Sequence, residues 1–191
     1  AALFLLAASG LKAQKKDLTL EEAIMGGDRR LRVENLVQLQ WIGGSGFFCR
    51  VDSFDGRFGL VREDPEGKTR SLVVNLDSLS ERVRVLGLGP LTRFPFFTWT
   101  GDTAFSFLHE NRLLLCRLRD GRTTLRNRIE DDGKNLAVHP PTLRAAFTRD
   151  GDLFVRLDPQ TLIRVTRDAR DGLSYGDPDV ARSEFGIREG I

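Results

Sequence analysis

The sequence predicts an all-β fold, and more specifically a partial β-propeller of about three blades from a larger ring. Short segments of strand-like composition, tight-turn signals between them and a weak internal repeat support this prediction. The 191 residues are enough for one well-buried core, and the 40% of hydrophobic residues exclude a chain that is disordered throughout. The net charge of +2 is too small to predict a nucleic-acid-binding surface.

The first residues are typical of the end of a secretory signal peptide. Residues 1–9 form an apolar run, and small residues follow as far as Ala13. The run is far shorter than the roughly 20 residues that a membrane-spanning helix needs. We therefore expect residues 1–13 to be a signal peptide remnant, residues 14–191 to be the mature domain, and the protein to be periplasmic or secreted. An apolar N-terminus without a targeting role is the alternative.

One short helix is predicted from about Thr19 to Met25. Thr19 and Glu22 fit a capping box, in which each side chain bonds a free backbone N–H of the first turn. Gly26-Gly27 then ends the helix. No later stretch shows sustained apolar residues at helical spacing, so helices are expected to be scarce in the rest of the chain.

Nine segments have the length and composition of β-strands, being short and rich in aliphatic and aromatic residues. Because they are separated by turn signals, they favour successive antiparallel hairpins. The predicted strands are 47–51, 58–61, 71–74, 82–86, 104–107, 113–116, 145–147, 153–157 and 162–165.

Five pairs, each an acidic residue followed by glycine, lie between or beside these predicted strands. Glycine supplies the positive φ that a tight hairpin turn requires, so each pair predicts a turn. The pairs are Asp55-Gly56, Glu66-Gly67, Asp120-Gly121, Asp150-Gly151 and Asp171-Gly172.

A weak internal repeat in the sequence indicates that these hairpins group into blades. Trp99, Phe107 and Leu113 recur 40 residues later as a ring-bearing residue, a Phe and a Leu, and an earlier copy begins at Trp41. Repeats of 40–50 residues built from short antiparallel strands are typical of propeller blades. Three or so blades fit in this chain. Since a closed ring needs at least about four, an arc of a ring is expected. An all-β sandwich with accidental repetition is an alternative.

No motif in the chain predicts a catalytic or metal site by itself. The run 43–47, GGSGF, differs from a serine hydrolase elbow and from a phosphate-binding loop, so it is interpreted as a turn. His109 and His139 lack partners at metal-ligand spacing, so they are expected in turns or in solvent. The acidic run 131–135 lacks the closing ligand of a calcium loop and is also interpreted as a turn. Cys49 and Cys116 are too few for a disulfide framework, and no metal or other cofactor is predicted.

Several segments in order resemble one family. They are the signal-like start, 18–24 (LTLEEAI), 39–42 (LQWI), Tyr175-Gly176 and 183–187 (SEFGI). Together they resemble the N-terminal β-propeller of bacterial secreted prolyl peptidases of the dipeptidyl peptidase IV type, in the prolyl oligopeptidase clan. The resemblance extends from about Lys16 to Ile191.

The resemblance implies a role for Glu184. In that family a propeller caps a C-terminal α/β-hydrolase domain, and an acidic loop from the propeller enters the active site. Glu184 matches this acid, which would bind the substrate's α-ammonium group and thereby position the bond after proline. Dipeptidyl peptidases commonly present two adjacent Glu residues, whereas Ser183 precedes Glu184 here, so release of dipeptides or tripeptides stays open.

The resemblance also implies the partners. They are the hydrolase domain of the parent chain and peptides with proline at the second or third position. A second copy in a homodimer is a further candidate partner, with the oligomeric state left open. Separately from the resemblance, the net charge predicts no nucleic acid and the short apolar run predicts no membrane span. No catalytic triad can be assigned within the 191 residues, so we expect this chain to be a fragment that is inactive alone. The alternative is a stand-alone extracytoplasmic binding or scaffold module.

Overall fold

A computed structural model of the protein describes residues 35–176, together with Leu20. The chain divides into two compact units, Ala1–Asn35 and Leu36–Ile191, and all the strands below belong to the second. The predicted signal remnant and the segment around Glu184 lie outside the described residues. Of the predicted helix Thr19–Met25, Leu20 alone is described, and it is helical.

The described strands form three antiparallel sheets of four strands each, and in every sheet the strands lie in chain order. The first sheet contains β1 Val37–Trp41, β2 Phe48–Phe54, β3 Arg57–Glu63 and β4 Arg70–Asn75, and the helix α1 Leu76–Arg84 follows it. The second contains β5 Phe97–Trp99, β6 Ala104–His109, β7 Arg112–Arg117 and β8 Thr123–Arg128. The third contains β9 Lys134–His139, β10 Arg144–Arg149, β11 Asp152–Arg156 and β12 Leu162–Arg164.

These three sheets are the predicted blades, so the partial propeller of about three blades is confirmed. We call them blades 1, 2 and 3. The central hairpins of all three blades turn through two residues with left-handed backbone. The φ angles are 48° and 73° at Asp55-Gly56, and 51° and 79° at Asp150-Gly151. Blade 2 uses Glu110-Asn111 at 46° and 55° for the same turn. Such turns match the twist of the strands that they join.

The 40-residue repeat is confirmed position by position. Its members occupy the same places in blades 2 and 3: the last residue of the first strand, the fourth of the second and the second of the third. The pairs are Trp99 with His139, Phe107 with Phe147, and Leu113 with Leu153. Trp41, which was predicted to begin an earlier copy, ends the first strand of blade 1.

The predicted strand 82–86 is wrong, because most of it belongs to the helix α1. In an extended strand Val83 and Val85 would share one face. In the structure Val83 is fully buried and Val85 is 79% exposed. Leu79, one helical turn before Val83, is also fully buried, so the apolar spacing is that of a helix rather than of a strand. The other eight predicted strands all coincide with observed strands.

Local capping also favours this helix. Asn75 precedes it in an extended conformation, and its side-chain oxygen accepts a hydrogen bond of 2.6 Å from the Ser78 N–H. Asn is among the preferred N-cap residues, since it satisfies an N–H that has no partner within the helix. Gly87, with φ of 77°, follows the C-terminal end.

Four strands were not predicted: β1, β5, β8 and β9. Each is the first or last strand of its blade, where one edge is unpaired. Such strands carry more polar residues than central strands do, as the segments TTLRNR of β8 and KNLAVH of β9 illustrate. The composition test therefore found all the central strands and the edge strands β4 and β12, and it missed the other four edge strands.

Blades 1 and 2 share one hydrophobic core, which also includes one face of α1. Its fully buried members include Leu60 of blade 1, Leu79 of α1 and Phe105 of blade 2. Polar contacts cross the same boundary. The side chain of Gln40 in β1 donates to the Phe97 carbonyl of β5 at 3.0 Å, so the first strands of the two blades are neighbours.

Blades 2 and 3 are joined by a buried polar side chain. Asn127 of β8 is fully buried, and its Nδ2 donates to the Leu143 carbonyl at 3.1 Å and to the Arg156 carbonyl at 3.2 Å. Within blade 3, Phe147 and Phe154 stack with ring centroids 5.8 Å apart. Each blade thus packs on the next one in the chain, as in an arc of a propeller.

Candidate functional site

The candidate site of this chain is the segment that carries Glu184, together with the part of blade 3 from which that segment extends. Glu184 and the run 179–187 lie outside the described residues. The stretch from Val165 to Gly176, which immediately precedes them, is described. We call residues 165–176 the anchor segment, because its backbone is attached to blade 3 by the contacts below.

Asp152, the first residue of β11, holds the start of the anchor segment. Its Oδ1 accepts hydrogen bonds from the Thr166 hydroxyl at 2.8 Å and from the Ala169 N–H at 3.3 Å. Its Oδ2 is paired with the Arg164 guanidinium. The Asp152 side chain is only 3% exposed, whereas that of Arg164 is 48% exposed. One carboxylate therefore connects the end of β12 with the first residues of the anchor segment.

These partners set the charge state of Asp152. The hydrogen bond from Arg164 is the largest influence and lowers the pKa of the carboxyl below its ordinary value. The bonds from Thr166 and Ala169 act in the same direction. Asp152 is consequently an anion at neutral pH, which is the form that can accept all three hydrogen bonds.

Backbone contacts add to this attachment. The Val165 N–H donates to the Leu153 carbonyl at 2.8 Å, and the Leu153 N–H donates to the Thr166 hydroxyl at 2.9 Å. Thr166 therefore donates to Asp152 and accepts from Leu153, the next residue of β11.

The last described residues return to the hairpin of blade 3. The Tyr175 N–H donates to the Gly151 carbonyl at 2.8 Å, and the Tyr175 hydroxyl donates to Asp168 Oδ1 at 2.8 Å. A Cβ at Gly151 would lie 3.1 Å from the Ala169 Cβ, so the segment passes close to this turn. The chain thus leaves the described region at Gly176 from a position held against β10–β11.

Two turns that were predicted from the sequence lie in or beside this region and are confirmed. Asp150-Gly151 joins β10 to β11, and Asp171-Gly172 is closed by mutual hydrogen bonds between Arg170 and Leu173 of 3.0 and 2.8 Å. The predicted turns at 43–47 and at 131–132 are also confirmed, and they separate β1 from β2 and β8 from β9. The residues 134–135 of the acidic run belong instead to β9.

The two histidines lie in different blades and have different environments. His109 ends β6 beside the hairpin turn, and its Nε2 lies 2.9 Å from the Gly89 carbonyl. His139 ends β9, is exposed, and its Nδ1 lies 2.8 Å from the Thr142 hydroxyl. Within the described part of the chain, neither ring is hydrogen-bonded to a serine or a cysteine. The expectation of turn or solvent histidines is confirmed for His139, while His109 is partly buried.

The two cysteines are free thiols in the core shared by blades 1 and 2. Trp99 Nε1 donates to Cys49 Sγ at 3.1 Å, and an Arg82 guanidinium nitrogen lies 3.6 Å from Cys116 Sγ. Burial is the main influence on both thiols and raises the pKa of each. The thiols therefore have a packing role rather than that of exposed nucleophiles.

Sequence reasoning did not find Asp152 or Thr166. One signal was available, because Asp is rare inside strands and Asp152 lies between the predicted turn Asp150-Gly151 and the predicted strand 153–157. An Asp in that position needs a hydrogen-bond partner, but the sequence does not reveal that the partner lies 14 residues away.

Residues 35–176 contain no cluster of three or more His, Cys, Asp or Glu side chains arranged to bind a metal ion. The same region has no helix that is both long and apolar enough to span a bilayer.

Comparison with known proteins identifies the fold. No family model and no curated protein matches the chain. Among solved structures, a "putative dipeptidyl aminopeptidase IV from Bacteroides ovatus ATCC 8483" aligns with a TM-score of 0.56 and 23% sequence identity. The alignment covers 82% of this chain and 21% of that chain, so this chain corresponds to about a fifth of the length of its structural relative. In fold, the chain therefore resembles part of a dipeptidyl aminopeptidase IV-like protein, as the sequence motifs predicted.

Proposed function

We propose that this chain is the N-terminal propeller part of an extracytoplasmic serine exopeptidase that releases X-Pro dipeptides or X-X-Pro tripeptides. The observation that carries the proposal is the fold similarity to the Bacteroides ovatus protein over 82% of the chain. The motif SEFGI at 183–187 adds to it, since this motif carried the sequence resemblance. The propeller limits access to an α/β-hydrolase domain elsewhere in the parent polypeptide, and Glu184 binds the amino terminus of the substrate.

The anchor segment supports this role for Glu184. A ruler for substrate length works only if its position is restricted, because a displacement of the bound amine displaces the scissile bond equally. Glu184 follows Gly176 by eight residues, and an extended chain spans at most about 3.3–3.6 Å per residue. The contacts of Asp152 and Tyr175 therefore fix the point from which the segment that carries Glu184 starts. The length of the eight residues after Gly176 then sets an upper limit on the distance between Gly176 and Glu184.

The physical basis of recognition is a charge-assisted hydrogen bond. The carboxylate of Glu184 faces a peptide α-ammonium group, and such a contact contributes about 1.5–3 kcal/mol. An N-terminally blocked peptide has no ammonium group, so it is a poor substrate. The enzyme is thereby an exopeptidase, although the chemistry at the acyl carbon is that of any serine hydrolase.

The test uses the full-length parent polypeptide and chromogenic amides of Gly-Pro and Ala-Ala-Pro, each with a free or an acetylated amino terminus. Cleavage that requires the free amine is expected, and the preferred length distinguishes dipeptide from tripeptide release. If the folded protein cleaves none of the four substrates, the peptidase proposal is wrong and a stand-alone binding module replaces it.

Glu184→Gln tests the anchor itself. It should lower kcat/KM for free-amine substrates roughly 10- to 150-fold, because it removes one charge-assisted contact. This factor corresponds to a loss of about 1.5–3 kcal/mol of transition-state stabilisation. Glu189→Gln, five residues later in the same terminal stretch, is the matched control and should leave kcat/KM unchanged. Equal kcat/KM values for the Glu184 variant and the unmodified enzyme would exclude Glu184 as the anchor.

A further inference from the structure

A groove beside β8 of blade 2 has no role in the function proposed above. It lies between the C-terminal end of α1 and the start of β8 and has a volume of about 500 Å³. Val85, Leu86 and Leu125 line it and are 79%, 38% and 43% exposed. Arg82 and Arg122 line it as well. We call this surface, defined by these five residues, the basic groove.

Positive charge is concentrated around the basic groove. The stretch 117–128, RLRDGRTTLRNR, contains five Arg and one Asp, a net charge of +4, whereas the whole chain carries +2. Among the ion pairs of residues 35–176, Arg117 is the member of this stretch that pairs with a carboxylate, that of Asp120 at 2.9 Å. Arg122 and Arg126 are exposed and have no such partner within the described residues. The surface therefore has a surplus of cations beside exposed aliphatic side chains.

An unpaired strand edge runs alongside the groove. β8 is the last strand of its sheet and is hydrogen-bonded to β7 on one side only. A strand of this kind presents unpaired backbone N–H and C=O groups, onto which another extended segment can pair. The combination of a free edge, aliphatic contacts and arginines is found here on one continuous surface, from Val85 to Leu125.

We propose that the basic groove binds an extended acidic segment of a partner protein, which adds to blade 2 as a fifth strand beside β8. In such strand addition the backbone provides affinity and alternate side chains provide specificity. Aliphatic side chains of the partner contact Val85 and Leu125, while its Asp or Glu residues face Arg82 and Arg122.

Two other polyanions fit this surface less well. Single-stranded nucleic acid binds through bases stacked on aromatic rings, and the residues that line the groove include no aromatic side chain. A bilayer of anionic lipids presents a flat surface, whereas the aliphatic side chains here lie along a groove beside a strand edge.

The experiment measures fluorescence anisotropy of a labelled, N-acetylated decapeptide of alternating Glu and Val, titrated with the 191-residue chain. Saturable binding that weakens with added NaCl is expected, because the contact is partly ionic.

Arg122→Glu should weaken binding at least tenfold, and so should Leu125→Asp. Arg144→Glu is the matched control, since Arg144 is exposed and unpaired within the described residues, and it should leave the affinity unchanged. Circular dichroism verifies that each variant is folded.

Two further probes identify the mode of binding. The same peptide with every backbone amide N-methylated should bind at least tenfold more weakly, since neither of its edges can then donate hydrogen bonds to β8. A Lys-Val decapeptide should not bind. The proposal is overturned if the acidic peptide does not bind, whether or not a thymidine 20-mer or phosphatidylglycerol vesicles bind. It is also overturned if both charge patterns bind equally, or if Arg122→Glu and Arg144→Glu behave alike.

Discussion

At the scale of single residues, the main finding is that the buried carboxylate of Asp152 holds the start of the anchor segment through its hydrogen bonds and its ion pair. It is almost completely buried and is hydrogen-bonded to three groups that follow it in the chain. A buried carboxylate is costly unless it is paired, and here Arg164 supplies the compensating charge. The same side chain therefore stabilises blade 3 and fixes the start of the anchor segment.

Replacing Asp152 by Asn should destabilise the chain at neutral pH, because the neutral amide forms no ion pair with Arg164 and replaces one of the two acceptor oxygens with a donor. Asp171→Asn is the control, since Asp171 is exposed and lies in the same segment. The midpoint of urea unfolding at pH 7 should fall for Asp152→Asn and stay unchanged for Asp171→Asn. Identical midpoints for the two variants would show that the Asp152 contacts contribute nothing to stability.

The pH dependence of this difference follows from the pKa of Asp152, which lies below its ordinary value in the folded chain. A carboxyl with a lowered pKa stabilises the fold above the unfolded value of about 3.9, and this contribution is lost as the pH falls through the folded value. The gap between wild type and Asp152→Asn should therefore be largest near neutrality and close in acid. Urea unfolding repeated between pH 7 and pH 3 measures it, and a gap that widens in acid would contradict the assignment.

Cys49 and Cys116 provide a second test at this scale. Both are completely buried, and burial raises both pKa values, so little thiolate is present and reagents have no access. In the native chain both thiols should react with a disulfide reagent at least about 100-fold more slowly than in 6 M urea. Rapid reaction of one thiol without denaturant would show that the core shared by blades 1 and 2 opens readily.

At the scale of secondary structure, the helix α1 shows how a short alternating run can mislead. The letters RVRVL at 82–86 alternate as in a half-buried strand, but the preceding Leu79 and the cap at Asn75 favour a helix. The helix also has a tertiary role, because its apolar face packs into the core between blades 1 and 2.

A pair of substitutions distinguishes the two structures directly. Val83→Ala should lower the free energy of unfolding by about 2 kcal/mol, since it leaves a cavity in the core. Val85→Ala should change it by less than about 0.5 kcal/mol, because that side chain is 79% exposed. Chemical denaturation of both variants provides the measurement. Similar losses at the two positions are the result expected for a strand, and they would refute the helix.

At the scale of the whole molecule, stability depends on contacts between consecutive blades, since each blade buries its faces on a neighbour. Blades 1 and 2 share an aromatic and aliphatic core, whereas blade 3 is attached partly through the amide of Asn127. Blade 3 is thus the blade most dependent on a single polar side chain.

Asn127→Ala should therefore act mainly on blade 3. It removes the buried amide donor that two carbonyl groups of blade 3 share, at a cost of about 1–3 kcal/mol. In native-state hydrogen exchange, amides of β9–β12 should lose protection, while those of β2 and β3 keep it. Arg126→Ala, an exposed neighbour on the same strand, serves as the control. A uniform loss across all three blades would mean that Asn127 stabilises the molecule globally and not one junction.

The sequence alone determined the features that depend on near neighbours. Asp-Gly pairs predicted the hairpins because left-handed backbone is a local requirement, and the 40-residue repeat predicted the blades because its members occupy equivalent places in equivalent strands. Motifs such as 183–187 also indicated the family fold that the structural comparison supports.

Only the tertiary structure decided the features that depend on distant partners. The edge strands β8 and β9 form because neighbouring strands pair with them, although their own composition is polar. Val83 is buried and Val85 is exposed because the core shared by blades 1 and 2 covers one face of α1. Asp152 acquires its role because folding brings Thr166 and Ala169 to it. Contacts of this kind join residues far apart in the chain, and local propensity carries no information about them.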